Sequence, residues 1–154
     1  MSPISREALL LQFKTTNYIG LAMIASVFVY AGLVFAISHG YIHVKLRPAL
    51  SADLAAKIKY ALLVAAGCHY LIIKFFQRIA SKEAGRLPAA AIIVFALSEA
   101  VAVYGLLVFF LTGVDTNFFI FMAISLFYFF IFYPKFADWE RLLQQEPQAN
   151  SSSS

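Results

Sequence analysis

The chain has 154 residues, of which 62% are hydrophobic and only 13% charged, and its mean hydropathy is +0.79. A soluble domain of this length needs far more charge to cover its surface, so the composition excludes one and indicates a single compact integral membrane domain. The net charge of +4 lies mostly at the ends of apolar runs, which reads as membrane anchoring rather than nucleic-acid binding.

The opening Met1–Arg6 lacks the basic region, apolar stretch and small-residue cleavage site of a secretory signal. Residues 1–17, with Ser2-Pro3, Leu9, Leu10 and Phe13, predict a short interfacial helix. Four apolar segments follow, over 18–38, 54–76, 88–112 and 117–133, and each reaches or approaches the ~20 helical residues that cross a hydrocarbon layer. Helices are preferred to strands because lipid offers no partners for backbone groups, and no ~10-residue alternating pattern is present. Ser51 is a natural N-cap for the second segment and Pro88 a first-turn residue for the third. The reversal at Gly113-Val-Asp-Thr-Asn joins the third and fourth. The expected fold is therefore all-α, with four transmembrane helices in two antiparallel hairpins. After Pro134, the residues Phe136, Trp139, Leu142 and Leu143 mark a second interfacial helix over 136–145, and 146–154 reads as a disordered polar tail. Residues 1–145 thus form one four-helix membrane domain.

With four spans, both termini and the middle loop share a side. That side holds Arg6, Lys14, Lys74, Arg78, Lys82, Arg86, Lys135 and Arg141, against Lys45, Arg47, Lys57 and Lys59 opposite. The imbalance puts both termini on the cytoplasmic side, in a bacterial-type inner or energy-transducing membrane. A short internal similarity links Val29–Phe35 to Val103–Phe109 at an offset of 74 residues, pairing Val27 with Val101 and Ala25 with Glu99. It reads either as a duplicated hairpin or as chance agreement in a small apolar alphabet.

Glu99 is the most informative residue. It lies about 18 Å along the third helix, near the middle of a ~30 Å hydrocarbon layer. An ionised carboxylate there costs a few kcal/mol unless paired or neutralised. Two readings are open: a proton-handling group, or a permanently protonated acid that docks a neighbouring helix. Ala91, Ser98, Ala102 and Gly105 form a small-residue stripe beside it that suits close helix packing in lipid. His69, at similar depth on the second helix, is a candidate to share a proton with Glu99 or else bonds a backbone carbonyl or water. Tyr104 is a candidate hydroxyl for the same site. Lys74 lies further out and snorkels to the basic rim.

The remaining residues point to little chemistry. His39 and His43 have metal-pair spacing without a third ligand, and Cys68, the single cysteine, lies in an apolar run. The ring-crowded fourth helix lacks the polar groups or axial ligands of a quinone or haem pocket, so no cofactor or metal is expected. No nucleophile, base and metal constellation suggests a stand-alone enzyme.

Phe95-Ala-Leu-Ser-Glu-Ala100, followed by Val103-Tyr-Gly-Leu-Leu-Val108, resembles the proton-binding helix of the rotary ATPase c subunit, or proteolipid. Arg86-Leu-Pro88 is similar to the basic loop before that helix, and the resemblance covers mainly 86–113. It implies that Glu99 binds a proton within a homo-oligomeric ring. Ala100, where sodium-binding versions carry Ser or Thr, implies protons rather than sodium. The second helix, with Gly67 as its one glycine, differs from the family's glycine-rich first helix. Two functions are expected in turn: a proteolipid-like proton-binding subunit working with copies of itself and other membrane subunits, or a non-transporting accessory subunit of a larger bioenergetic complex.

Overall fold

The computed structural model describes residues 6–44, 51–80, 86–137 and 139–141. The described residues form four helices: α1 Arg6–Ser38, α2 Ala52–Ala80, α3 Leu87–Thr112 and α4 Asp115–Phe132. All four are long and apolar enough to cross a membrane, so the chain is an all-helical integral membrane protein in contact with lipid. The loop at Pro48, Lys45, Arg47 and Lys82, the opening Ser2-Pro3, Leu142 and Leu143, and the 146–154 tail lie outside the described residues.

α3 is the hub. It packs against α1, α2 and α4, and α1 also packs on α4. α1 and α2 follow each other in the chain but share no packed seam. Gly20 faces Phe95, while Val34 and Ile37 cluster with Phe109, so α1 and α3 run the same way. Gly105 meets Phe118 and Phe121, whereas Phe95 meets Phe129 and Tyr133, so α4 runs back along α3.

α1 is one continuous helix of 33 residues, not an interfacial helix followed by a span from Tyr18. At about 1.5 Å per residue it is longer than the ~30 Å hydrocarbon layer. Its buried residues Leu9, Thr16, Gly20, Val27 and Val34 fall on one line at steps of seven and four, which keeps a single face against α3 and α4 through the polar stretch. Thr15 and Thr16 donate their hydroxyls to the Leu11 and Gln12 carbonyls, so their polar groups are satisfied within the helix.

The other boundaries follow local chemistry. Ser51 caps α2 by accepting the Leu54 N–H (3.4 Å), and Pro88 occupies the first turn of α3. Gly113 ends α3 in the left-handed region (φ 69°), its N–H donating to the Phe109 carbonyl at 2.7 Å. α4 begins two residues later at Asp115, whose carboxylate accepts the Thr116 N–H (2.7 Å).

The small-residue stripe on α3 receives rings from α4. A Cβ on Gly105 would lie 2.6 Å from Phe121 Cβ and 3.0 Å from the Phe118 carbonyl oxygen, so this crossing needs glycine. Ser98, Ala102 and Gly105 are buried, and Ser125 donates to the Ser98 carbonyl at 2.7 Å. The rings of α4 therefore divide: Phe118, Phe121, Tyr128, Phe129 and Phe132 turn inward, while Phe119, Phe127 and Phe130 face outward. Past Pro134, Phe136, Ala137 and Trp139–Arg141 are helical. Trp139 is buried and packs edge-on against Phe13 (5.2 Å), beside Leu9, and Arg6 pairs with Glu140 at 2.9 Å.

Candidate functional site within the membrane

Glu99 is half-buried at mid-length of α3, and α1 supplies its partners. Tyr30 donates its hydroxyl to Glu99 Oε1 at 3.0 Å, and the Ser26 hydroxyl is hydrogen-bonded to the same oxygen. Ser26 Oγ also lies 2.6 Å from the Met23 carbonyl, one turn back on its own helix. Ser26 and Tyr30 are four residues apart and so share a face. That face flanks the buried Gly20–Val27–Val34 line on the side of Glu99. Both partners are neutral hydroxyls.

His69 and Tyr104 come together elsewhere. His69 Nδ1 lies 3.1 Å from the Leu97 carbonyl, and its Nε2 lies 3.3 Å from the Tyr104 hydroxyl. A carbonyl only accepts, so His69 donates from Nδ1 and Nε2 is free to accept the tyrosine proton. The His69 and Tyr104 rings are 5.5 Å apart. Of the two roles open to His69, the structure has the carbonyl-bonded one. Tyr104, five residues from Glu99, points to a different flank because five residues turn a helix by about 140°.

α3 therefore carries polar contacts on three sides over residues 97–104: Glu99 toward α1, the Ser98 carbonyl toward Ser125 of α4, and Leu97 and Tyr104 toward His69 of α2. Tyr128 of α4 adds a bond to the Ala66 carbonyl of α2 at 2.9 Å. Tyr30 and Tyr104, equivalent in the 74-residue offset, play parallel parts. Each bonds an ionisable group on a neighbouring helix, Glu99 on α3 and His69 on α2 respectively.

Ser26, Tyr30, Ser125 and Tyr128 were not singled out by sequence reasoning. The available signal was the internal similarity, which sets Ala25 opposite Glu99 and so brings Ser26 to its level. Ala91 of the predicted stripe is buried near Phe95 and Phe129 rather than at the carboxyl. Lys74 lies over the rings of Phe132 (5.3 Å) and Tyr70 (5.8 Å), a cation–π setting at the end of α2. His39 stacks on Phe35 at 4.0 Å beside the loop. Among the described residues no group of three His, Cys, Asp or Glu side chains gathers as a metal site would require. Comparison with family models, curated proteins and solved structures returns no match.

Proposed function

We propose that this chain is a proton-binding membrane subunit of an oligomeric, ion-translocating complex, similar in its working part to the rotary ATPase proteolipids, with Glu99 as the proton carrier. The observation that carries this reading is a half-buried carboxyl at mid-length of α3 whose hydrogen-bond partners are two neutral hydroxyls. Among the described residues no cation pairs with it, and ionisable groups within membrane spans typically mark ion or proton pathways.

Ser26 fits both protonation states. It has one hydrogen and two nearby oxygens, Met23 O and Glu99 Oε1. With the carboxyl protonated, Glu99 donates to Ser26 and Ser26 donates to Met23. With the carboxyl ionised, the serine hydrogen turns to Glu99, and Tyr30 donates in either case. His69 and Tyr104 act as neighbours that tune α3 rather than as direct partners of the carboxyl.

On this reading α3 and α4 form a hairpin, with the ends of α1 and of the post-Pro134 segment near the membrane interface. Both termini face the cytoplasm of a bacterial-type membrane, and further subunits cover the open side of Glu99. In vesicles carrying the native complex, Glu99→Gln should abolish proton movement while the complex still assembles. Wild-type rates in that variant would overturn the proposal.

The bonds from Ser26 and Tyr30 favour a second reading, in which Glu99 docks α1 onto α3 in an accessory subunit that moves no protons. That reading predicts that Glu99→Gln weakens assembly and leaves proton movement by the assembled remainder unchanged.

A further inference from the structure

A groove of about 440 Å³ runs between α1 and α4, lined by Ile24, Phe28, Leu126, Phe129, Phe130 and Tyr133. It lies on the flank of α1 away from Ser26, Tyr30 and Glu99. Its walls are almost wholly apolar and its outer ring, Phe130, is 85% exposed, so an acyl chain fits it by chemistry and size.

Two lysines lie toward the Tyr133 end of the groove. Lys14, Asn17, Leu21, Ile24 and Phe28 follow one another at steps of three and four and lie on one flank of α1. Lys14 and Lys135 are exposed, and among the described residues neither forms an ion pair. The two are brought to the same end of the molecule by their chain neighbours: Phe13 and Phe136 are in edge contact at 5.2 Å. One turn below Lys14, the side-chain oxygen of Asn17 is buried with no hydrogen-bond partner. That oxygen is closed off inside the protein, so the polar character of this end of the groove rests on the two lysines.

We infer that this groove is a site for an acidic phospholipid, for which phosphatidylglycerol is the probe. One acyl chain lies along Ile24, Phe28 and Phe130, and the phosphate sits between Lys14 and Lys135. Anionic headgroups gain roughly a factor of five in affinity for each lysine near the surface, and two lysines at one end of an apolar slot convert that general attraction into a preference at one place.

The test uses the full chain reconstituted in phosphatidylglycerol or phosphatidylcholine nanodiscs, gently extracted and weighed intact with its retained lipid. Phosphatidylglycerol should stay bound while phosphatidylcholine washes away, and Lys14→Gln with Lys135→Gln should lower retention more than tenfold, in line with about fivefold per lysine. Both lysines are exposed, so this variant keeps the fold. Ile24→Trp, which fills the slot, should also release the lipid while both lysines remain. Equal retention of the two lipids, or undiminished phosphatidylglycerol in the lysine variant, would overturn the inference.

Discussion

At the scale of single residues, the molecule separates positions that need glycine from positions that merely contain it. Gly105 sits where the α4 backbone crosses α3, and an added methyl meets a Cβ and a main-chain carbonyl that have no room to retreat. Gly105→Ala should therefore destabilise the helix pair by about 1–3 kcal/mol, the usual cost of overpacking, read as a lower melting temperature in detergent. A Cβ on Gly20 meets only the far edge of the Phe95 ring at 2.6 Å. That ring can tilt, so Gly20→Ala should cost less than Gly105→Ala. Gly67, with nothing within 4 Å, is the control, and Gly67→Ala should be neutral or stabilise α2 by up to about 1 kcal/mol through helix propensity. The hydroxyls around Glu99 act at the same scale. Tyr30→Phe removes one bond to the carboxyl and leaves Ser26 in place, so it should cost about 0.6 kcal/mol and at most about 1.7, the range for hydrogen bonds between membrane helices. A much larger loss in the melting curve would mean that Tyr30 holds more of α1 than this one bond.

At the scale of elements, the long α1 depends on its contact with the segment beyond Pro134. Leu9 and Phe13 lie in the part of α1 that sequence reasoning assigned to a separate interfacial helix, and Leu9 is as completely buried as Val27. Trp139 and Phe136 supply rings that pack on Phe13, and Trp139 clusters with Leu9. Trp139→Ala should cost about 3–5 kcal/mol as a large buried ring is lost, and hydrogen exchange over the first turns of α1 should rise. Arg6→Ala removes only the exposed pair with Glu140 and should cost no more than about 1 kcal/mol. The reverse order of these two effects would show that charge, not ring packing, keeps the start of α1 folded. α4 begins at Asp115, inside the stretch read as the reversal, whereas the ends of α3 were legible because a proline and a glycine act locally. The start of α1 was not, because Lys14, Thr15, Thr16 and Asn17 resemble the rim of a span, while the line that continues the helix past them is visible only against α3 and α4.

At the scale of the whole molecule, α3 separates two polar clusters that depth alone would have merged. Glu99 and His69 are at comparable heights, yet one is held by α1 and the other by the Leu97 carbonyl and Tyr104, and they share no hydrogen-bond partner. Glu99→Gln and His69→Asn should therefore affect stability additively, within about 0.5 kcal/mol in a double-mutant cycle. A larger coupling in detergent unfolding would mean that the two clusters exchange protons or strain through α3. The sequence by itself determined the membrane class, the four helices, the position of Glu99 along α3 and the small-residue stripe, because each follows from hydropathy, local breakers and the fixed rise of a helix. Only the tertiary structure decided which groups meet. It seats α1 against α3 and α4 and keeps it apart from α2, turns five rings of α4 inward, and gives Glu99 to Ser26 and Tyr30. Helical periodicity sets where a side chain stands around its own axis, whereas the choice of neighbour depends on how small and large residues interlock across helices distant in the chain.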